Sequence, residues 1–342
     1  MKRSFAFFIL FLIVFTGSVG ASLPDWFREG VYVKYAMKMV DNPRKDEVNI
    51  FMIWPRLLPK DTYGTLRKAY ESDTLKIDNR SMISLFVRGD SYLTFEVLNL
   101  TNETAFIRVT LELNNVSTDS LNNIPRLVIS KVLRLNLSDM MYYESDGTPI
   151  GAPAFFIDPA HPPKKGDYIL TPAFLKKYEL LSDDIVVTNV SFTWNEDKIL
   201  HTYYRDFIPP YLFVDSEGAY LIHDLNTGEG HVLMAGRVYE LDTGLLITTG
   251  FYDVGAEITS LGVIGAVALD RVNSRKLHKL IEEGKADKEW WAVGFNLYDT
   301  NVKLPEYGCG RSPSTPVKYF FALSLAILIL TFLWKRWRWK NE

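Results

Sequence analysis

Cysteine occurs once in the 342 residues, at Cys309, and histidine five times. One cysteine excludes an intrachain disulfide framework and any zinc site built mainly of thiolates. A surplus of basic charge is missing as well: 38 Lys+Arg stand against 41 Asp+Glu, a net of −3. Nothing here neutralises a run of phosphates, which argues against a nucleic-acid partner. The chain has no P-loop, no Gly-x-Ser-x-Gly and no His-Glu-x-x-His, so the usual nucleotide, serine-hydrolase and zinc-protease signatures are absent. With 47% hydrophobic residues it is not a disordered chain either.

What is present starts at the two ends. Residues 1–21 open with Lys2 and Arg3, continue with an apolar run from Phe5 to Phe15, and finish with Gly17, Ser18, Gly20 and Ala21. A basic start, an apolar core and a small-residue exit read as a signal peptide, with cleavage before Ser22. An uncleaved anchor is the alternative, although the run is short for a full span. Residues 317–334 form a second apolar segment, interrupted by Lys318, Ser324 and Thr331. At 1.5 Å per residue it covers about 27 Å, the thickness of a bilayer core. Trp334, Trp337 and Trp339 suit an interfacial aromatic belt, and Lys335, Arg336, Arg338 and Lys340 make the tail at 335–342 cytoplasmic by the positive-inside rule. Membrane lipid is therefore an expected contact. A small-residue and proline stalk at 308–316 joins the span to the outer domain at 22–307. Without the two ends, 31 Lys+Arg face 40 Asp+Glu, so the outer part carries −9 above a basic foot.

Six Asn-x-Ser/Thr triplets begin at Asn79, Asn99, Asn102, Asn115, Asn136 and Asn189, where chance gives about two. They are expected sites of glycosylation on an exported surface.

The outer domain reads as antiparallel sheets, in a sandwich or half-barrel arrangement, with a few short helices. Val31, Val33, Tyr35 and Met37 alternate with polar or intermediate residues, and so do Ala105, Ile107, Val109, Leu111 and Leu113. Val186, Val190 and Phe192 are expected to form the apolar face of a further strand, with Asn189 and Ser191 on the other. Asn226-Thr227-Gly228 and Asp242-Thr243-Gly244 predict three-residue turns in a meander of 217–225, 229–241 and 245–254. Helices are expected at 62–71, from Pro172 to about Leu181 behind Thr171, and from Arg275 to Glu283 behind Ser274, stopped by Gly284. The Pro-rich stretch at 149–166 is either a boundary between subdomains or one long ordered loop.

The turn register sets His223 opposite His231, close enough for two imidazoles to share a metal ion, with His201 or Asp224 as a further ligand. Two histidines packed beside a turn are the plainer reading. Asp242-Thr243-Gly244 matches the aspartic-protease triad, but that chemistry needs two such aspartates and only one is present. Tyr203, Tyr204, Tyr211, Phe213, Trp290 and Trp291 either line a sugar or lipid groove or fill a sheet core. Cys309 stands beside the membrane as a site for lipid attachment or for a disulfide between two chains.

Trp26, Gly30-Val31-Tyr32-Val33-Lys34-Tyr35, Phe156-Ile157-Asp158-Pro159, Lys165-Gly166-Asp167 and Tyr239-Glu240-Leu241-Asp242-Thr243-Gly244 together carry a resemblance. The chain resembles exported, membrane-anchored, β-rich proteins of hyperthermophilic archaea of the Thermococcus and Pyrococcus type. Cys309-Gly310 is similar to the Cys-Gly-Pro sorting region of that group, with Arg311 in place of proline. The resemblance implies an archaeal cell surface and no particular reaction.

The sequence is thus read as a single-pass cell-membrane protein with its β-rich domain outside, binding or scaffolding without evident catalysis. Envelope proteins, surface glycans or a small ligand are the expected partners, and no cofactor is implied. The alternatives are an accessory subunit of a membrane complex and an extracytoplasmic metal-dependent hydrolase.

Overall fold

A computed structural model describes residues 23–306, apart from 42, 45–46, 74, 78–79, 122, 181–183, 193–197, 221–230 and 251–254. The expected signal peptide, stalk, Cys309, transmembrane span and basic tail lie outside the described residues. Among the described residues no helix is long and apolar enough to cross a membrane. Contacts divide the chain into a unit that runs through Lys303 and one that starts at Leu304, of which 304–306 are described.

In chain order the elements begin with β1 (Tyr32–Met37), β2 (Asn49–Ile53), helix α1 (Lys60–Asp73), β3 (Leu75–Ile77) and β4 (Arg80–Val87). Next come β5 (Ser91–Leu100), β6 (Thr104–Ser117), β7 (Ile124–Asn136), β8 (Met141–Tyr143) and β9 (Pro149–Gly151). After a long loop follow β10 (Tyr168–Leu170), α2 (Pro172–Lys177), β11 (Ile185–Phe192), β12 (Ile199–His201), β13 (Asp206–Phe207) and β14 (Tyr211–Tyr220). The last group is β15 (His231–Glu240), β16 (Leu246–Thr249), α3 (Ala256–Ser260), β17 (Val263–Val267), α4 (Arg271–Glu282), β18 (Glu289–Trp291) and β19 (Asn296–Thr300).

The β5–β6 hairpin shows why the sheet forms. Ser91, Leu93, Phe95 and Val97 are buried and pair with buried Leu113, Leu111, Val109 and Ile107. The residues between them face outward, where Glu96 pairs with Arg108 at 2.7 Å and Glu112 with Arg126 of β7 at 2.6 Å. Period-two alternation therefore sets both the core and the register.

Pairing runs β9-β8-β7-β6-β5-β1-β19-β16-β15-β14-β11-β10, all antiparallel. A branch of β4, β2 and β17 starts where Phe86 and Val87 meet the end of β6. The two ends of the main path nearly meet, so the sheet is close to a barrel. Between β9 and β10, Thr171 N donates to Ile150 O at 2.8 Å, and the Thr171 hydroxyl donates to Pro149 O. Gly151 is required at this seam, since a Cβ there would stand 1.9 Å from Ile169 O. Opposite the seam, first and last strands pair: Val33 meets Thr300, and Thr300 Oγ1 donates to Tyr32 O at 2.7 Å.

The interior is filled by aromatic side chains and by α3, whose five residues are all buried. Phe155 from the Pro-rich loop stacks on Phe95 at 4.6 Å, and Phe156 lies 4.8 Å from Phe27. That stretch thus runs as an ordered loop packed into the first unit, which is not divided there.

Several expected boundaries move. β11 buries Ile185 and Val187, and a bulge between Val187 and Asn189 changes the phase, so the expected apolar face through Val186 and Val190 is half-buried instead. α2 starts as expected, with Thr171 Oγ1 accepting from Phe174 N at 3.2 Å. α4 starts four residues before Arg275, because Asp270 and not Ser274 caps it, accepting from Asn273 N at 2.8 Å. Strand β14 begins at Tyr211, ahead of the expected 217. The loop after β15 has four residues rather than three, since Glu240 N bonds Leu245 O at 2.8 Å.

Candidate functional site

The inward side of β11, β14 and β15 and the Pro-rich loop line a pocket of about 550 Å³ that opens to the surface. Its apolar walls include Val187, Val214, Phe156, Ile157 and Ile169, and Ser138 to Met141 and Tyr168 stand at its margin. The volume falls in the range that holds a small organic molecule.

Polar groups enter this wall at few points. Arg237 on β15 faces inward, only 1% exposed, with Nη1 donating to Ser216 Oγ at 3.3 Å. Tyr239, two positions on, shares that face and donates its hydroxyl to Ala154 O at 2.9 Å. From the loop come Asp158 and His161, whose carboxylate Oδ2 and ring Nδ1 lie 2.8 Å apart. Asp158 Oδ1 accepts from Ala160 N at 2.8 Å, which closes a local turn and fixes the carboxylate.

A second layer of polar groups stands behind Arg237. Glu257 on α3 is 1% exposed, and its Oε1 accepts from Ala154 N at 2.7 Å and from Tyr142 OH at 3.2 Å. Glu257 Oε2 and Arg237 Nη2 lie 3.2 and 3.5 Å from the point where Gly255 would carry a Cβ, so buried anion and buried cation are neighbours. Burial, and then the Glu257 charge, pushes the Tyr142 hydroxyl well above its ordinary range. It therefore remains a proton donor to that carboxylate.

The sequence named Asp158 and Tyr239 only within the motifs of a resemblance, and gave none of these interior groups a role. The available signal was an arginine at an inward position of an alternating strand, Arg237 between Gly236 and Val238 with Tyr239 following. Asp242-Thr243-Gly244 belongs to a turn: Glu240 Oε2 accepts from Thr243 N and Oγ1, each at 2.7 Å, and Gly244 has φ +68°. A Cβ on Gly244 would stand 2.1 Å from Ile157 O, so this turn is what carries the Pro-rich loop.

His223 lies outside the described residues, and of His231 only the backbone is described. The ladder sets His231 opposite Tyr220, three residues out of the expected register. His201 is held elsewhere, by Asp206 at 2.7 Å and by a stacked Trp291 ring at 4.7 Å. Among the described residues no group of three or more His, Cys, Asp or Glu could hold a metal ion.

Asn99, Asn102, Asn115 and Asn189 are exposed, and Asn136 is half-buried at the end of β7, where its Oδ1 accepts from Ser138 N at 2.9 Å. Asn79 lies outside the described residues, as do Trp334 to Lys340. Of the six aromatic residues proposed for a groove, Tyr211, Phe213 and Trp290 come together on the outer face around a pocket of about 250 Å³. Tyr203 instead donates to Asp270, at 2.7 and 2.9 Å from its two oxygens.

No protein-family model, curated protein or solved structure matches the chain.

Proposed function

We propose that the chain is a single-pass envelope protein of an archaeal cell, with its nearly closed barrel outside, a transmembrane helix at 317–334 and a cytoplasmic tail. In this reading the outer domain holds a small molecule with an apolar body and polar groups, and does no chemistry on it. The observation that carries it is the cavity of about 550 Å³ between the strands and the Pro-rich loop, with Arg237 in its wall. A concave, mainly apolar pocket of that size with a few converging polar groups is the form that small-molecule sites take. Arg237, Tyr239, Asp158 and His161 set where a ligand's polar groups would go, and the apolar wall takes the remainder.

The test is ligand capture by the full chain in detergent, read by native mass spectrometry and by melting. A bound small molecule, or a member of a small-amphiphile panel raising stability by about 2–3 kcal/mol at 100 times its dissociation constant, supports the reading. Val214→Trp projects a large ring into the cavity and abolishes both signals in a chain that still melts cooperatively. Retention of binding in that variant overturns the assignment of the site.

A further inference from the structure

We infer that the sugar chain on Asn189 folds back onto the outer-face aromatic pocket, so that this domain carries a built seat for its own glycan. The inference rests on the export reading and is independent of the inner cavity.

The geometry comes from the ladder. Asn189 on β11 pairs directly with Asp215 on β14, and Asp215 pairs with Gly236 on β15. The three residues form one row across three strands, on the outer face, with neighbours about 5 Å apart. Asn189 is exposed and its amide Nδ2 donates to Asp215 Oδ2 at 3.1 Å. Asp215 and Gly236 are themselves part of the pocket of about 250 Å³. The atom that would carry a sugar is therefore one strand from the pocket floor.

The pocket suits a sugar ring. Gly236 and Gly250 leave its floor without side chains, and they approach until Gly250 N bonds Gly236 O at 2.6 Å. Tyr211, Phe213 and Trp290 supply aromatic walls. A sugar is apolar on its C–H face and polar at its edge, so ring faces beside polar rim groups match it on both counts. Lys198, with its ammonium 5.1 Å from the Trp290 ring centre, and Asp215 form that rim.

Attachment leaves the orienting contact intact. Transfer from a lipid-phosphate-linked sugar donor forms a bond from Nδ2 to the sugar's anomeric carbon. The carbon–oxygen bond to phosphate breaks, the lipid phosphate leaves with the bonding electrons, and the proton lost by the amide passes to that phosphate or to solvent. One N–H remains, and it still donates to Asp215.

The experiment uses the full chain produced in a secretory host that attaches Asn-linked sugars. Glycopeptide mass spectrometry reads occupancy, and an endoglycosidase acting on the native protein reads accessibility. Asn189 is expected to be occupied, with its sugar released about tenfold more slowly than those on Asn99 and Asn102, a factor equal to roughly 1.4 kcal/mol of ring contact. Trp290→Ala removes an exposed ring without opening the core and brings the Asn189 rate to that of the others. Ser191→Ala abolishes modification at Asn189 alone. Occupancy at Asn99 with none at Asn189, or equal release rates in the unaltered chain, overturns the inference while the export reading stands. Absence of sugar at every triplet overturns both.

Discussion

Gly151→Ala tests whether the barrel depends on its seam. The added methyl carbon would stand 1.9 Å from Ile169 O, whereas a carbon–oxygen contact needs about 3.3 Å. Strands β9 and β10 must therefore separate by about 1.4 Å. Thr171 N lies 2.8 Å from Ile150 O, and a shift of that size takes the pair beyond hydrogen-bond range. Overpacking of about 1–3 kcal/mol adds to the lost bond, for a total near 2–4 kcal/mol. In a unit of this size that lowers the melting temperature by roughly 3–7 °C. Equilibrium denaturation should show a lower midpoint with unchanged slope, and the Thr171 amide should exchange faster with solvent. Gly64→Ala is the contrast, because nothing lies within 4 Å of its added carbon and it sits inside α1. It should raise stability by about 0.5–1 kcal/mol. A midpoint for Gly151→Ala within about 0.5 kcal/mol of the parent, with Thr171 still protected, would refute the reasoning.

Asp270 yields a pH prediction. Burial pushes its carboxyl up to about 6 from an ordinary 3.8, against the pull of the Asn273 and Lys38 amides and the Tyr203 hydroxyl. A raised carboxyl makes the folded state hold its proton longer than the unfolded state, so its contribution is complete below pH 4 and is lost as pH rises through 6. The loss is about 3 kcal/mol, and denaturation midpoints for Asp270→Asn should lack that slope between pH 4 and 6. Arg237→Met leaves the Glu257 carboxylate buried beside an apolar chain and should cost about 3–5 kcal/mol. Adding Glu257→Gln should recover part of it, and a double variant no more stable than the single one would contradict the coupling.

The local hairpin was legible in the residues themselves, because Ala105 to Leu113 and their partners alternate without interruption. The helix start at Asp270 was not. Asp270 and Ser274 are both good caps, and the choice depends on Lys38 N, which donates to Asp270 Oδ2 at 2.9 Å from just past the end of β1, more than two hundred positions away. The phase of β11 is set by a bulge that no side-chain pattern announces. The cavity was hidden for a related reason: β14 and β15 read as ordinary alternation, and only the Pro-rich loop laid against them leaves the space. Of the six aromatics, three meet and one serves as a partner to Asp270, a division made by β12 and β18 rather than by spacing.

The pairing of β1 with β19 has a mechanical consequence. Val33 and Thr300 sit at one pole, so the chain enters and leaves the barrel side by side, with Asn301 tying Tyr32 N and Gly30 O at 2.9 Å each. Tension applied through the two ends would not shear the ladder along its length. It would open it like a zipper from that pole, one hydrogen bond at a time. Once Trp26 and Phe27 have come away upstream, the Asn301 tie and the Thr300 hydroxyl would be the first contacts of this ladder to bear load.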